Sequence, residues 1–175
     1  MVEEKIRAEY VDGKILIKGN DGIQEVRGKS FLGTLEGNTL VLMPVEALLL
    51  MERDKIAVFK DGRELGFNEL FYEVSKRDPE IWVNYVIYKD LKMRGYVVKR
   101  GVGSDILYCV YPRGADPERI PPHIYVSKIV EGEPAPLSKL REITKISESN
   151  RKKLILAVVD RVGDITYYEF EKVSL

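Results

Sequence analysis

The sequence predicts an α+β protein with a small N-terminal α+β domain and a mixed α/β C-terminal domain. Two observations support this prediction: apolar runs bounded by glycine turns fill residues 1–42, and period-two runs return after Gly95, with helical periodicity between them. A chain of 175 residues with 45% hydrophobic residues can bury one ordinary core or two small ones. We place the boundary near 76–79, which gives domains 1–76 and 77–175.

The N-terminal runs are typical of short antiparallel strands, because aliphatic and β-branched residues alternate with glycine turns. Residues 15–17 and 39–42 are the clearest strands, and the Asn-Asp-Gly sequence at 20–22 predicts a turn between them.

Three segments follow with helical periodicity. Pro44 suits a first helical position and begins a helix that ends before Asp54, and a second short helix covers 68–75. The third helix has clear ends, because Asp78 can cap it and Gly95 can end it in the left-handed conformation. Its stripe, which we expect to be core packing, consists of Ile81, Tyr85, Tyr88 and Leu91.

Beyond Gly95 the pattern changes to strands, with one further helix expected at 138–149. The predicted strands are 96–98, 106–111, 124–130, 154–159 and 165–170.

Composition excludes several classes of protein. Lys and Arg together number 28, as do Asp and Glu, so a protein that coats nucleic acid everywhere is disfavoured, although a basic patch remains possible. One cysteine, Cys109, and one histidine, His123, cannot form a disulfide framework or a zinc cluster within this chain. The start of the chain lacks a signal-peptide core and no stretch has membrane-helix length, so we expect a soluble, cytoplasmic protein that needs no cofactor.

Tyr111, His123 and Lys152 offer a proton acceptor, a proton donor near neutral pH and a fixed positive charge. Metal-free RNA cleavage requires this set: a 2′-hydroxyl loses a proton, the departing 5′-oxygen gains one, and negative charge gathers on the phosphoryl oxygens. Each residue also has an ordinary explanation. A lone loop histidine is most often a surface residue, Tyr111 could be a half-buried strand residue, and the basic residues 151–153 could end a helix.

Seven segments of the chain, in order, resemble archaeal tRNA-splicing endonuclease subunits. They are 44–48, 88–96, 103–105, 110–114, 122–123, 151–154 and 164–169. The resemblance implies a nuclease-like C-terminal domain. It also implies cleavage of precursor tRNA at the bulges of a bulge-helix-bulge motif, which leaves a 2′,3′-cyclic phosphate and a 5′-hydroxyl.

The resemblance also implies the site residues. Tyr111, His123 and Lys152 match the catalytic tyrosine, histidine and lysine, although the interval from Asp105 to Tyr111 is two residues longer than in the family, which leaves Tyr108 as an alternative tyrosine.

The basic residues Arg113, Lys145 and Arg151 are expected to contact RNA. Lys145 stands where many family members carry an arginine that stacks on a bulged base, and lysine keeps the charge without the planar face.

Assembly into a homo-oligomer, or a heterotetramer with a structural subunit, is also implied, because two sites are cut per intron. Asp160 and Asp164 resemble acids that insert into a neighbouring subunit, with exposed hairpin-turn charges as the competing explanation. The strand 165–170 could pair edge to edge in a dimer.

Three other functions remain open: a non-catalytic subunit of the same enzyme, an RNA-binding assembly module, and a metal-dependent nuclease. The last would need acidic ligands placed a strand after Asp105, and the sequence offers no such pattern.

Overall fold

The structure is a computed structural model that describes residues 4–28 and 30–173 and confirms the predicted α+β fold class. Its elements, in chain order, are β1 (Ile6–Val11), β2 (Lys14–Lys18), α1 (Asn20–Arg27), β3 (Thr34–Glu36), β4 (Thr39–Leu42), α2 (Pro44–Glu52), β5 (Ile56–Lys60), β6 (Arg63–Leu65), α3 (Phe67–Ser75), α4 (Ile81–Met93), β7 (Val97–Arg100), β8 (Tyr108–Tyr111), β9 (Ile124–Val130), α5 (Leu137–Ser149), β10 (Lys153–Val159) and β11 (Ile165–Glu169).

The chain divides into two compact units, Met1–Tyr85 and Val86–Leu175. The division falls inside α4, whereas the expected boundary stood in the loop before that helix. The first unit contains a six-stranded sheet of order β3-β4-β2-β1-β5-β6. Its pairs are antiparallel except for β1 with β5, which are parallel, and neither β5 nor β6 was predicted.

The predicted turn at 20–22 is wrong, because these residues form the first turn of α1. The backbone N–H of Ile23 donates to the carbonyl of Gly19 at 3.1 Å and begins the helical ladder. Ile23 and Val26, three residues apart, are both buried and form the apolar face of the helix. Asn and Asp suit helix starts as well as turns, so the local sequence did not distinguish the two structures.

The predicted helix with the clear ends is confirmed as α4. The carboxylate of Asp78 accepts a hydrogen bond from the backbone N–H of Glu80 at 3.1 Å, and Gly95 has φ of 88°. The predicted stripe is core: the four side chains Ile81, Tyr85, Tyr88 and Leu91 are each at most 5% exposed.

The second unit contains a five-stranded sheet of order β11-β10-β9-β8-β7. Strands β9 and β10 are parallel and the other pairs are antiparallel, so the sheet contains both kinds of pairing. Tyr108 contacts Tyr88 of α4, while its neighbour Cys109 belongs to a core cluster with Ile143 of α5. Since successive strand residues point to opposite faces, the C-terminal half of α4 and α5 cover opposite faces of this sheet.

A tight loop leads from β7 into β8. The backbone N–H of Gly101 donates to the carbonyl of Leu107 at 2.9 Å, and a Cβ on Gly101 would lie only 1.7 Å from the carbonyl oxygen of Ile106. Only glycine fits this close approach, which sets where β8 begins. Within the part of the chain that the structure describes, no helix is long and apolar enough to cross a membrane.

Candidate active site

The central strands of the second sheet carry a row of buried side chains beside α5. Cys109 of β8 lies opposite Tyr125 of β9, and Tyr125 lies opposite Leu154 of β10. All three belong to the core cluster around Ile143, and we call them the core row. They fix both the register of the three strands and the face that α5 covers.

Two residues beyond the core row, the same register aligns Tyr111, His123 and Lys152, which we call the candidate row. The last paired positions are Val110 with Ile124 and Ile124 with Lys153, so the candidate row is one residue further along each strand. Backbone hydrogen bonds support this extension: the N–H of His123 donates to Val110 at 3.0 Å, and the N–H of Lys153 donates to His123 at 3.2 Å. Three residues distant in sequence therefore meet at adjacent strand ends.

Lys152 reaches this row through a sharp turn after α5. Arg151 has φ of 55°, and the backbone N–H of Lys152 donates to the carbonyl of Ser147 at 2.9 Å. The next residue, Lys153, pairs its ammonium with a carboxylate oxygen of Glu169 at 3.1 Å. Lys153 therefore pairs across β10 and β11 with a residue of the neighbouring strand.

His123 is partly buried, and burial is the main cause that lowers its pKa from the ordinary value of 6.5. The charges of Lys152 and Lys153 lower this pKa further, whereas an interaction of the imidazole with the backbone carbonyl of Val110 raises it. Nδ1 of the ring is buried and has no hydrogen-bond partner among residues 4–28 and 30–173. The ring of His123 lies 6.3 Å from that of Tyr96, measured between centroids.

Tyr111 is also partly buried, and burial raises its pKa above 10, with further contributions from Cys109 and Tyr125. Lys152 is not among the groups that shift the pKa of Tyr111. Lys152 lowers the pKa of His123 and also that of Cys109. Burial raises the pKa of the Cys109 thiol, and the charge of Lys152 offsets part of that rise. The phenol of Tyr111 thus keeps its proton at neutral pH.

The alternative tyrosine, Tyr108, is in a different environment. Its side chain is only 3% exposed, and its ring centroid lies 5.7 Å from that of Tyr88 in the core. Successive residues of a strand point to opposite faces of the sheet. Cys109 and Tyr111 face α5, so Tyr108 faces away from it.

The three residues expected to contact RNA are all exposed. The guanidinium of Arg113 lies 5.5 Å from the centroid of the Tyr96 ring. Lys145 lines an open groove of about 600 Å³ between α5 and the segment after β11, and Arg151 forms the turn that precedes Lys152.

Asp160 and Asp164 lie in the hairpin turn between β10 and β11, in different environments. One carboxylate oxygen of Asp160 accepts hydrogen bonds from the backbone N–H groups of Val162 and Asp164, both at 2.9 Å. Asp160 therefore builds the turn, whereas Asp164 is exposed.

Asp105 has a cationic partner, since the ammonium of Lys139 lies 3.6 Å from its carboxylate. Among the described residues, no group of three or more His, Cys, Asp and Glu side chains could hold a metal ion.

The pKa of His123 can be measured directly, because the only histidine of the sequence gives an unambiguous proton NMR signal. We expect the titration of His123 to give a pKa below 6.5, and Lys152→Ala to raise that pKa because a like charge is removed. Lys145→Ala is the control, since it removes a lysine that does not act on His123. An unchanged pKa in Lys152→Ala would mean that the two side chains do not face each other.

Comparison with known proteins identifies the family. Two family models match: the N-terminal domain of tRNA intron endonuclease over residues 6–71, and its catalytic C-terminal domain over 81–167. A protein of Methanosarcina acetivorans named tRNA-splicing endonuclease is 35% identical over 164 residues, which are 94% of this chain and 46% of that protein. Proteins of the same name from Thermococcus onnurineus and Methanococcus maripaludis are 31% and 33% identical over 99% of this chain.

The chain spans about half the length of the Methanosarcina relative, and 99% and 97% of the lengths of the other two. Both domain models match in the expected order and together cover most of the sequence. The chain therefore belongs to the tRNA intron endonuclease family.

Proposed function

We propose that this chain is the catalytic subunit of a cytoplasmic RNA endonuclease that cuts precursor tRNA at bulge-helix-bulge intron boundaries. The reaction needs no metal and leaves a 2′,3′-cyclic phosphate and a 5′-hydroxyl. The observation that carries this proposal is the candidate row, in which the sheet register aligns Tyr111, His123 and Lys152. Membership of the family supplies the substrate class.

The chemistry is an in-line transfer within the RNA. The 2′-oxygen forms a bond to the adjacent phosphorus as the bond from phosphorus to the 5′-oxygen breaks. Tyr111 accepts the proton of the 2′-hydroxyl through the small fraction of its phenol that is ionised at neutral pH, and His123 gives its proton to the departing 5′-oxygen. The ammonium of Lys152 stabilises the charge that develops on the phosphoryl oxygens. Unstacked bulge nucleotides suit this geometry, because a regular A-form helix keeps the 2′-oxygen out of line.

In the unbound protein, the pKa shifts disfavour the protonated imidazole and the ionised phenol that this mechanism requires. Burial and two lysines favour neutral His123, and burial favours the neutral phenol of Tyr111. A bound phosphate changes the balance at His123, because a negative charge nearby raises the pKa of an imidazole. Substrate binding therefore favours the protonation state that a general acid requires at His123. The same negative charge raises the pKa of Tyr111 further, so only a small ionised fraction of this phenol acts as the base.

The first test is cleavage itself. We expect the purified protein, with a partner subunit where one is needed, to cut a bulge-helix-bulge RNA in the presence of a chelator. The product should carry a 2′,3′-cyclic phosphate, identified by mass spectrometry, because the 2′-oxygen is the nucleophile. An RNA with a 2′-deoxy residue at each cut site is the control and should stay intact. A 3′-hydroxyl product, or activity only with added divalent metal, would contradict the proposal.

The second test separates the candidate residues from their neighbours. His123→Ala should lower the single-turnover rate by about 100-fold or more with RNA affinity nearly unchanged, the usual range for loss of a general acid. Tyr111→Phe should behave similarly, because only the hydroxyl is removed. Tyr108→Phe is the matched control, since the same atom is removed from a core tyrosine. If Tyr108→Phe is the damaging variant, the tyrosine is misassigned, and if His123→Ala stays within a few-fold of wild type, His123 has no catalytic role.

The proposal includes assembly through the turn between β10 and β11. Asp164 is the exposed acid there, while Asp160 is bonded to the turn backbone, so charge reversal at Asp164 tests an intersubunit contact without dismantling the turn. Asp164→Lys should shift the sedimenting species to lower mass and abolish cleavage, because like charges across an interface repel. Glu25→Lys reverses an exposed acid of α1 in the other unit and should leave the sedimenting mass and the activity unchanged. Wild-type mass and activity in Asp164→Lys would locate the contact elsewhere.

A further inference from the structure

The orientation of His123 has no explanation within the candidate row. A histidine that transfers protons from one ring nitrogen is commonly oriented by a hydrogen bond at the other. Here Nδ1 is buried and has no hydrogen-bond partner in the described part of the chain. The imidazole interacts with the backbone carbonyl of Val110, and a packing contact can orient the ring further.

Tyr96 provides the aromatic contact. Its ring centroid lies 6.3 Å from that of His123 with an angle of 44° between the planes, which is within the range of tilted aromatic pairs. The position of Tyr96 is itself well fixed. Its backbone N–H donates to the carbonyl of Leu91 at 3.2 Å, directly after the left-handed Gly95 that ends α4.

Arg113 holds the Tyr96 ring in turn. Its guanidinium lies 5.5 Å from the ring centroid, within the range of a cation–π contact. The Arg113 side chain passes 3.5 Å from the point where a Cβ on Gly95 would stand. Arg113 follows Tyr111 by two residues, so this contact connects the end of β8 to the end of α4.

We propose that Tyr96 is a positioning residue for His123: its ring holds the imidazole so that Nδ1 stays buried and Nε2 is presented to the leaving 5′-oxygen. This inference rests on the proposed function for its catalytic consequence, but the contact itself is independent of it. The arrangement replaces a hydrogen bond with an aromatic contact. The ring of Tyr96, and not its hydroxyl, is therefore what His123 requires.

The test compares Tyr96→Leu, which removes the ring, with Tyr96→Phe, which removes only the hydroxyl. We expect Tyr96→Leu to lower the rate of a single turnover by roughly 10- to 100-fold at saturating enzyme, because small misplacements of a reacting group are costly. RNA affinity should be nearly unchanged, since Tyr96 is not proposed to contact RNA. Tyr96→Phe should restore the rate to within about twofold of wild type. This rescue distinguishes a ring contact from a role of the hydroxyl.

A second measurement needs no activity at all. In the unbound protein, the NMR signal of His123 should shift in Tyr96→Leu, and its pKa should rise toward the ordinary value, because the ring no longer shields the imidazole from water. Tyr96→Phe should keep the wild-type signal and pKa. Tyr72→Leu is the control, because Tyr72 is an exposed aromatic residue of the other unit.

The outcomes separate the two proposals. A wild-type rate together with an unchanged His123 signal in Tyr96→Leu would overturn the positioning role. If the wild-type protein does not cleave RNA, the proposed function fails, while the NMR comparison still decides whether Tyr96 holds His123. A loss of rate in both variants would assign the role to the hydroxyl and overturn the ring contact.

Discussion

The parallel pairing of β9 with β10 is the constraint on which the candidate site depends. It requires the crossover through α5, and its register brings His123 and Lys152 to adjacent strand ends. The antiparallel pairing of β8 with β9 adds Tyr111. A slip of one residue in either ladder would move the side chains to opposite faces of the sheet, so the chemistry is only as precise as the register.

The core row and the candidate row belong to the same ladders and differ by two residues. Cys109, Tyr125 and Leu154 are fully buried beside α5, and that packing holds the register. The candidate row is partly exposed, because each of its residues lies two positions beyond the core row on the same face of the sheet. Shared strands explain how the candidate residues gain rigidity from the core while they remain accessible to a substrate.

Much of the fold could be predicted because its signals are local. Helix α4 has a capping acid and a terminal glycine, and β9 matched its predicted range of 124–130. The hairpin of β5 and β6 was missed although its Asp61-Gly62 turn, with both residues at positive φ, is a common two-residue hairpin signal. The contact of Tyr96 with His123 was beyond prediction, because it joins residues 27 positions apart through packing and leaves no spacing pattern.

The same partial burial decides the electrostatics of the site. Burial lowers the pKa of His123 and raises that of Tyr111, and the positive charge of Lys152 lowers the pKa of His123 further. The unbound site therefore disfavours the charged forms that the proposed mechanism uses. The arrangement is unfavourable for imidazolium unless an anion binds near His123. In the proposed reaction the phosphodiester supplies that anion, and its negative charge opposes the effect of Lys152, which adds to the larger effect of burial on the pKa of His123. Under the proposed function, the protein's own charges would therefore favour imidazolium only when the anionic substrate is bound.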